Sequence, residues 1–241
     1  MTQVCVIFGA GEYYAGTPVV PAGAYVIAAD GGLDHTRQLG IVPDVGVGDF
    51  DSLEGRPPRT DVRTIALPAL KDDPDMLSAL KVGWSAGCRE FHVYGGLGGR
   101  IDHTISGIQL MALLARHGAS GYLYGDGLIV TAITDGRLSF PAHPVPEDGR
   151  MVSAFSHSDV SLGVNEPGLK YELKDGTLTN TVVQGVSNEF RDGVDAAISV
   201  EHGTLIVTFP IEVALPQVSR FHEFGGDIGE LDTAVSKLLV R

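Results

Sequence analysis

Four short segments in the first half of the chain combine acids, glycines and a few cations in patterns that suit phosphate and metal chemistry. The first is ADGG at residues 29–32, which follows an apolar run typical of a strand. An acid at the carboxyl end of a parallel strand can face a ligand, while the glycines let the backbone bend sharply. Asp30 and Gly31 are therefore candidate ligand contacts, although the same residues also suit an ordinary turn.

The second segment, GDFDS at residues 48–52, carries two carboxylates one residue apart. In an extended segment such side chains point the same way, so Asp49 and Asp51 can bind one Mg²⁺. This ion prefers a few carboxylates together with water and substrate phosphates. Ser52 adds a hydroxyl, and Phe50 is predicted to point into the core. The alternative is an acidic turn in which Ser52 caps a helix.

The third segment, KDDPD at residues 71–75, places a lysine and three acids at the start of a predicted helix. The helix dipole favours acids there by about 0.3–1 kcal/mol, which explains one or two of them. Neighbouring carboxylates repel, and a Mg²⁺ with a polyphosphate would remove that conflict. Asp72 and Asp75 are predicted to share a helix face, and Lys71 to touch a phosphate.

The fourth segment, GGLGGRIDH at residues 95–103, lies between a predicted strand and a predicted helix. Its glycines, Gly98 and Gly99 among them, let backbone N–H groups approach an anion, and the helix N-terminus favours negative charge. Arg100 can contact a phosphate with two hydrogen bonds. The spacing matches neither a P-loop nor GxGxxG, so it indicates only a phosphate-binding loop.

Composition and missing motifs exclude several other classes of protein. With 30 acidic and 17 basic side chains the net charge is −13, which disfavours non-specific binding to nucleic acid or an anionic membrane. The eight histidines show no metal-ligand spacing, and the absence of GxSxG gives no sign of covalent catalysis. Cys5 and Cys88 without a CxxC indicate reduced thiols and a cytoplasmic protein. We also expect neither a signal peptide nor a membrane span.

The elements that must position these segments change character along the chain, whose 44% apolar content is globular. Apolar runs predict parallel strands at residues 4–8, 25–29, 62–66, 91–94 and 122–124, and 3–4 spacing predicts helices at 73–84 and 102–117, the second well buried with Ile105, Ile108, Ala112 and Ala115 on one face. Later runs at 137–140, 151–155, 176–180, 196–200 and 204–209 alternate as in a sandwich or barrel, and a last helix is predicted at 229–240. The fold class is therefore an α/β N-terminal domain with a mainly parallel sheet, plus a C-terminal all-β sandwich domain. A proline-rich stretch at 140–149 sets the domains at 1–140 and 150–241.

In this order, the four segments resemble the thiamine pyrophosphokinase (thiamin diphosphokinase) family, whose pattern reads ADGG, PD…GDFDS, KDxTD and GGRxDH. The chain has PD at residues 43–44, and its GLKY at 168–171 and SNE at 187–189 look like two further family segments. The resemblance covers about residues 1–209. Departures include Pro74 in place of the threonine of KDxTD, Leu77 in place of an acid or amide, Leu97 in place of a threonine and Gly107 in place of an asparagine.

The resemblance implies a homodimeric enzyme, with sites between subunits, that moves pyrophosphate from ATP to the hydroxyethyl oxygen of thiamine. It implies Mg²⁺ as cofactor and no nucleic-acid or membrane partner. Asp102 then orients Arg100 or the substrate, and one unassigned carboxylate acts as base. The implied site residues are Asp49, Asp51, Asp72 and Asp75 at the metal and in catalysis, Arg100 and Asp102 also in catalysis, Asp30, Gly31, Ser52, Lys71, Gly98, Gly99 and Arg100 at ATP, and Asp102, His103, Ser187 and Asn188 at thiamine.

Two other functions remain open at this stage. One is an ATP-dependent transferase that acts on a related hydroxyl substrate through different contacts at Ser187 and Asn188. The other is a non-catalytic sensor of thiamine diphosphate or of a nucleotide, which would fit a chain that had lost its catalytic acids. The tail after Phe209 carries no assigned role, and we expect it to pack against the β domain or a partner subunit.

Overall fold

The computed structural model describes residues 3–14, 18–50, 62–146 and 149–236, which form a mixed α/β fold with many strands and few helices. The helices are α1 (Gly32–Gln38), α2 (Asp75–Ser85) and α3 (Ile101–Arg116). The strands are β1 (Gln3–Phe8), β2 (Tyr25–Ala29), β3 (Val45–Gly48), β4 (Arg63–Ala66), β5 (Cys88–Tyr94), β6 (Ser120–Tyr124), β7 (Leu128–Phe140), β8 (Met151–Ser156), β9 (Val160–Val164), β10 (Gly176–Thr179), β11 (Asn188–Glu189), β12 (Ala196–Pro210) and β13 (Gln217–Arg220). None of these helices is long and apolar enough to cross a membrane.

Contacts divide the chain into two compact units. The first joins Met1–Gly107 to Asp227–Arg241, and the second is Ile108–Gly226. These limits differ from the predicted domains, because β7 pairs along its length with β12 and so lies with the antiparallel strands. The predicted domain ranges of 1–140 and 150–241 stay a prediction, since contact density alone does not define a domain.

The first unit contains a parallel sheet in the order β5-β1-β2-β3-β4, as far as its described residues show. The central strands are apolar along their whole length, and Val6, Ile7 and Ile27 are completely buried. Continuous apolar runs of this kind are typical of parallel strands that are covered on both faces. Because all five strands run the same way, the loops after their carboxyl ends lie along one edge of the sheet.

The second unit is built from antiparallel strands. Its longest pairing joins β7 to β12, with an irregularity between Val200 and Thr204. The other pairs join β6 and β13 to β7, β8 and β9 to β12, β10 to β9, and β11 to β8. In its core, the Phe140 ring packs edge-on against Phe190 and Phe209, with centroids 5.1 and 5.3 Å away. Antiparallel strands make up most of this unit, which also includes residues 108–116 of α3. The all-β domain with two sandwich layers stays a prediction.

The longer predicted elements are present with small shifts of their ends. The runs at 4–8, 25–29, 62–66 and 91–94 form β1, β2, β4 and β5, and the two predicted helices form α2 and α3. The runs at 196–200 and 204–209 are one strand, because β12 continues through its irregularity. Sequence analysis missed α1, β3, β9, β11 and β13, since segments of seven residues or fewer carry little periodicity.

The strand predicted at 122–124 forms as β6, and its pairing with β7 is antiparallel. Two other expectations about individual elements were wrong. Residues 229–236 of the predicted last helix are not helical, because Gly229 has a φ of +91° and Ser236 bonds to the distant Leu70; residues 237–240 lie outside the described part. Ile105 is 52% exposed, because only the C-terminal half of α3 is well buried.

Gly32 lies where α1 begins against the end of β1. A Cβ atom at this position would lie 1.9 Å from the carbonyl oxygen of Phe8. We expect Gly32→Ala to lower the free energy of unfolding by about 3 kcal/mol, because β1 is paired on both sides and cannot move away. Urea denaturation followed by circular dichroism measures the change.

The matched control for this substitution is Gly225→Ala, since no atom lies within 4 Å of a Cβ built there. This variant should stay within about 0.5 kcal/mol of the natural protein. Equal losses at both positions would contradict the close approach at Gly32.

Candidate active site

The loops that follow the parallel strands meet at the carboxyl edge of the sheet. The loop after β1 is joined to the loop after β5 by the N–H of Gly11, which donates to the carbonyl of Gly95 at 3.0 Å. The loop after β2 is joined to β3 by the N–H of Asp30, which donates to Val47 at 2.8 Å. Ligands of open α/β sheets bind outside the carboxyl ends of the strands, so this edge is the candidate site.

Lys71 is a buried charged group at this edge, with its side chain 6% exposed. Its Nζ lies 2.9 Å from Oδ1 of Asp75 and 3.9 Å from Oδ2 of Asp49. A buried ammonium requires such partners, because it has lost most of its hydration. The structure therefore brings together three of the predicted site residues, which come from the loop after β3, the loop after β4 and the start of α2.

Asp73 precedes α2 without capping it. The helix begins at Asp75, with Pro74 in an extended conformation before it and no side-chain hydrogen bond at the cap. Instead, Oδ2 of Asp73 lies 2.5 Å from Nζ of Lys81, and the two side chains are only 15% and 10% exposed. Sequence analysis missed Lys81, although a lysine within the apolar face of a helix is a signal that a buried acid lies nearby.

Asp72 is bound by the C-terminal tail. The hydroxyl of Ser236 donates to Oδ1 of Asp72 at 2.5 Å, and the N–H of Ser236 donates to the carbonyl of Leu70 at 2.8 Å. Each of the three acids at 72–75 therefore has its own partner, so their repulsion does not by itself require a metal. The tail after Phe209 is divided: β13 pairs with β7 in the second unit, as expected, whereas residues from Asp227 onward belong to the first unit.

The metal prediction can be tested against the donors present. Among the described residues, no three His, Cys, Asp or Glu side chains are grouped closely enough to hold a metal ion. Asp51 and Ser52 lie outside those residues. Mg²⁺ needs only one or two protein carboxylates when phosphates and water complete its shell. Asp49 and Asp75 on either side of Lys71 fit that requirement, while the full four-carboxylate set stays a prediction.

The glycine loop after β5 packs closely against the segment after β1. Gly98 and Gly99 have left-handed φ values of 82° and 62°. A Cβ on Gly98 would lie 1.6 Å from the hydroxyl of Tyr14 and 3.3 Å from Oε2 of Glu12. Sequence analysis missed this neighbouring segment, whose signal was the GAG at residues 9–11 directly after a strand. Glu12 brings a carboxylate to the predicted phosphate loop, so an anion bound there needs a cation beside it.

Arg100 and Asp102 form an exposed ion pair at the N-terminus of α3. Nε and one terminal nitrogen of Arg100 donate to the two carboxylate oxygens at 3.2 and 2.6 Å, and the N–H of His103 donates to Oδ1 at 3.0 Å. The hydrogen bond from Arg100 lowers the pKa of Asp102, and the same bond raises the pKa of Arg100. The predicted roles of all three stay predictions, and this contact is consistent with Asp102 orienting Arg100.

Three of the five described non-glycine residues with left-handed φ values lie in the motifs, while Asp135 and Asp175 do not. Asp30, Phe50 and Ser187 have φ values of 47°, 59° and 60°, although none is glycine. Such angles cost about 1–3 kcal/mol each, persist only where the surroundings fix them, and cluster at functional sites. Phe50 packs against a small buried cluster that contains Leu33, as its predicted inward direction requires.

The GLKY and SNE segments meet in the second unit around Asn188. Its amide nitrogen donates to Oε2 of Glu166 at 2.8 Å and to the carbonyl of Tyr171 at 2.9 Å. Its amide oxygen accepts from the N–H groups of Tyr171 and Glu189 at 3.0 and 2.9 Å. An amide has two donors and two lone pairs, so the protein uses its full capacity. Asn188 holds the two segments together, and contact with a ligand would require one of these bonds to open.

Ser187 lies beside a cavity of the second unit. Its N–H donates to the hydroxyl of Ser153 at 3.1 Å, and Ser153 lines a cavity of about 580 Å³. The same cavity is lined by the acids Asp126 and Glu212 and by the apolar side chain of Met151. This mixture of hydroxyl, acidic and apolar groups suits a cationic ring, so the predicted substrate contact at Ser187 remains open.

These observations define an α/β domain with a charged ligand site at the carboxyl edge of its sheet. Residues 19–123, which carry all four motifs, match the family described as "Thiamin pyrophosphokinase, catalytic domain". The resemblance inferred from the motifs is confirmed, because the family model of the thiamin pyrophosphokinase catalytic domain matches the segment that carries them.

Solved structures of thiamin pyrophosphokinases share the fold. The Bacillus subtilis enzyme is 20% identical with a TM-score of 0.75, and the match covers 88% of this chain and 100% of that one. The Candida albicans enzyme is 12% identical with a TM-score of 0.68, at 88% and 90% coverage. The yeast enzyme is 12% identical with a TM-score of 0.67, at 87% and 86% coverage. A search of curated proteins gives no match.

The ion pair between Lys81 and Asp73 leads to a stability prediction. Lys81→Met should lower the free energy of unfolding by about 3 kcal/mol, because it leaves a mostly buried carboxylate without its cation. The double variant Lys81→Met/Asp73→Asn should recover most of this loss, since no unpaired charge remains. Urea denaturation compares the two, and equal losses would contradict a role for the ion pair.

Glu166 should make stability depend on pH. Burial raises the pKa of this carboxyl group, partly offset by the hydrogen bond from Asn188. Ionising a group with a raised pKa penalises the folded state, so the penalty is absent below the unfolded pKa of about 4.3. It grows as the pH rises and is complete above the folded pKa.

We therefore expect Glu166→Gln to gain stability relative to the natural protein as the pH rises from about 4. The gain should level off once Glu166 is fully ionised. Urea denaturation of both proteins at a series of pH values measures the difference. A difference that does not vary with pH would contradict the prediction.

Proposed function

We propose that the protein is a thiamine diphosphokinase, which transfers pyrophosphate from ATP to the hydroxyethyl oxygen of thiamine and yields thiamine diphosphate and AMP. The observation that carries this proposal is the Lys71 ammonium between Asp49 and Asp75 at the carboxyl edge of the sheet. This group lies within the segment that matches the thiamin pyrophosphokinase catalytic domain. It offers one cation for phosphate and two carboxylates for a metal or a proton.

In the proposed reaction a bond forms between the thiamine hydroxyl oxygen and the β-phosphorus of ATP, while the bond from that phosphorus to the AMP oxygen breaks. The substrate supplies the nucleophile, so the protein must position the reactants and neutralise charge. We assign phosphate oxygens to Lys71, Arg100 and the N–H groups of Gly98 and Gly99. A carboxylate of the site accepts the hydroxyl proton.

We assign Mg²⁺ to Asp49 and Asp75, with Asp51 and Asp72 as further ligands. The bound ion supplies charge neutralisation for the triphosphate. Asp30, Gly31 and Ser52 contribute to ATP binding in this proposal. The presence of Lys71 beside the carboxylates supports it, because a cation that reaches both the acids and a phosphate offsets the repulsion between them.

From the second unit we assign Ser187 to thiamine binding, because it is hydrogen-bonded to Ser153, which lines the cavity with Asp126 and Glu212. Asn188 contributes to thiamine binding indirectly, because its hydrogen bonds hold the SNE segment in place. His103 and Asp102 complete the proposed substrate contacts.

We further propose that the protein is a cytoplasmic homodimer. The two free buried thiols, Cys5 and Cys88, fit a reducing compartment. Light scattering of the purified protein tests the dimer.

A single assay tests the reaction. Purified protein is mixed with Mg²⁺, ATP and thiamine, and chromatography follows nucleotides and thiamine phosphates, with EDTA as control. Equal amounts of AMP and thiamine diphosphate, abolished by EDTA, are expected. ADP with thiamine monophosphate would instead identify a simple kinase, and binding without turnover would identify a sensor.

Within this assay, Asp49→Asn should lower kcat about 100-fold, because it removes one charge from the group that faces the triphosphate. The matched control is Asp159→Asn, which changes an exposed acid of the second unit and should leave kcat unchanged. Near-full activity of Asp49→Asn at saturating Mg²⁺ would overturn its assignment.

A further inference from the structure

The tail that follows the second unit is anchored on the first unit at separate points. Ile228 is 7% exposed. A Cβ on Gly229 would lie 3.4 Å from Cε of Lys81, so the tail backbone runs close to this lysine. At the end of the described tail, Ser236 bonds to Leu70 and Asp72. The tail thus lies along residues 70–73, which include the first part of the KDDPD segment.

The tail is shaped by its own acids. Oδ1 of Asp227 accepts from the N–H of Gly229 at 2.9 Å, and Oδ1 of Asp232 accepts from the N–H of Ala234 at 2.8 Å. These bonds set the path of the backbone between its anchors. This tail lies beyond Phe209, where the motif resemblance to the family ends.

Two bonds from the same residue fix the position of the Ser236 hydroxyl. The N–H of Ser236 donates to the carbonyl of Leu70, and its hydroxyl donates to Oδ1 of Asp72. Asp72 is exposed and precedes α2, so packing does not hold its carboxylate. The hydrogen bond limits rotation of the carboxylate, and it engages Oδ1 and not Oδ2.

We propose that Ser236 is a positioning residue, which holds the Asp72 carboxylate in the orientation that binds Mg²⁺–ATP. The inference rests on the proposed function, which assigns Asp72 to this ligand. Hydrogen bonds from outer groups commonly orient carboxylates at metal sites, and their loss weakens binding about 10- to 100-fold. The tail would then complete the site from the far end of the chain.

Thermodynamic linkage gives this proposal a second consequence. If the docked tail favours binding of Mg²⁺–ATP, the bound ligand must favour the docked tail by the same factor. Hydrogen exchange at residues 228–236 should therefore slow when Mn²⁺–ATP is added in the absence of thiamine. This measurement does not depend on turnover, and an unchanged rate would count against the coupling.

The decisive comparison uses three full-length variants. Ser236→Ala removes the hydroxyl, Ser236→Thr keeps it, and Thr233→Ala removes an exposed hydroxyl from the same tail. Calorimetry measures the Kd of Mn²⁺–ATP without thiamine. We expect Ser236→Ala to weaken binding about 10-fold, with the other two unchanged. In turnover, KM for Mg²⁺–ATP should rise in Ser236→Ala while kcat stays the same.

The outcomes separate this proposal from the proposed function. Equal affinity in Ser236→Ala and the natural protein would overturn the positioning role, and tighter binding would overturn it in favour of an inhibitory tail. If the natural protein makes no thiamine diphosphate but Ser236→Ala still weakens Mn²⁺–ATP binding, the proposed function fails and the positioning role stands. If no variant binds Mn²⁺–ATP, both fail.

Discussion

Lys71 holds a positive charge where little water reaches it, and the first unit is arranged around that constraint. An ammonium in this position is stable only while Asp49 and Asp75 remain beside it. Those acids lie after β3 and at the start of α2, so the lysine ties two segments to the loop after β4. The parallel order of the strands makes this possible, because it brings their carboxyl ends to one edge.

The neighbouring acids follow the same electrostatic rule with different partners. Asp73 is neutralised by Lys81 from within α2, whereas Asp72 accepts a hydrogen bond from the tail. The three acids at residues 72–75 would repel one another if they were unpaired, but each of them contacts a different partner. Carboxylates held in this way need little rearrangement when charge arrives, which is the property that makes electrostatic stabilisation effective in enzymes.

Close backbone contacts set the remaining geometry. Gly32 lets α1 begin against Phe8, and Gly98 lets the loop after β5 lie against Tyr14. In the second unit, Asn188 plays a comparable part with hydrogen bonds, since its amide joins the GLKY and SNE segments. In both units, motif residues therefore shape the loops through contacts within the protein.

The sequence by itself determined the main strands, the helices α2 and α3 and the order of the motifs, because hydrophobic runs and residue types are local properties. It did not determine three contacts at the candidate site: Glu12 beside Gly98, Lys81 with Asp73, and Ser236 with Asp72. The last pair is 164 positions apart in the sequence. Hydrophobic patterns place a residue on its element but do not identify its partner across loops. Only the tertiary structure decided those pairs, because buried charges and exposed carboxylates are held by whichever segment the folded chain brings to them.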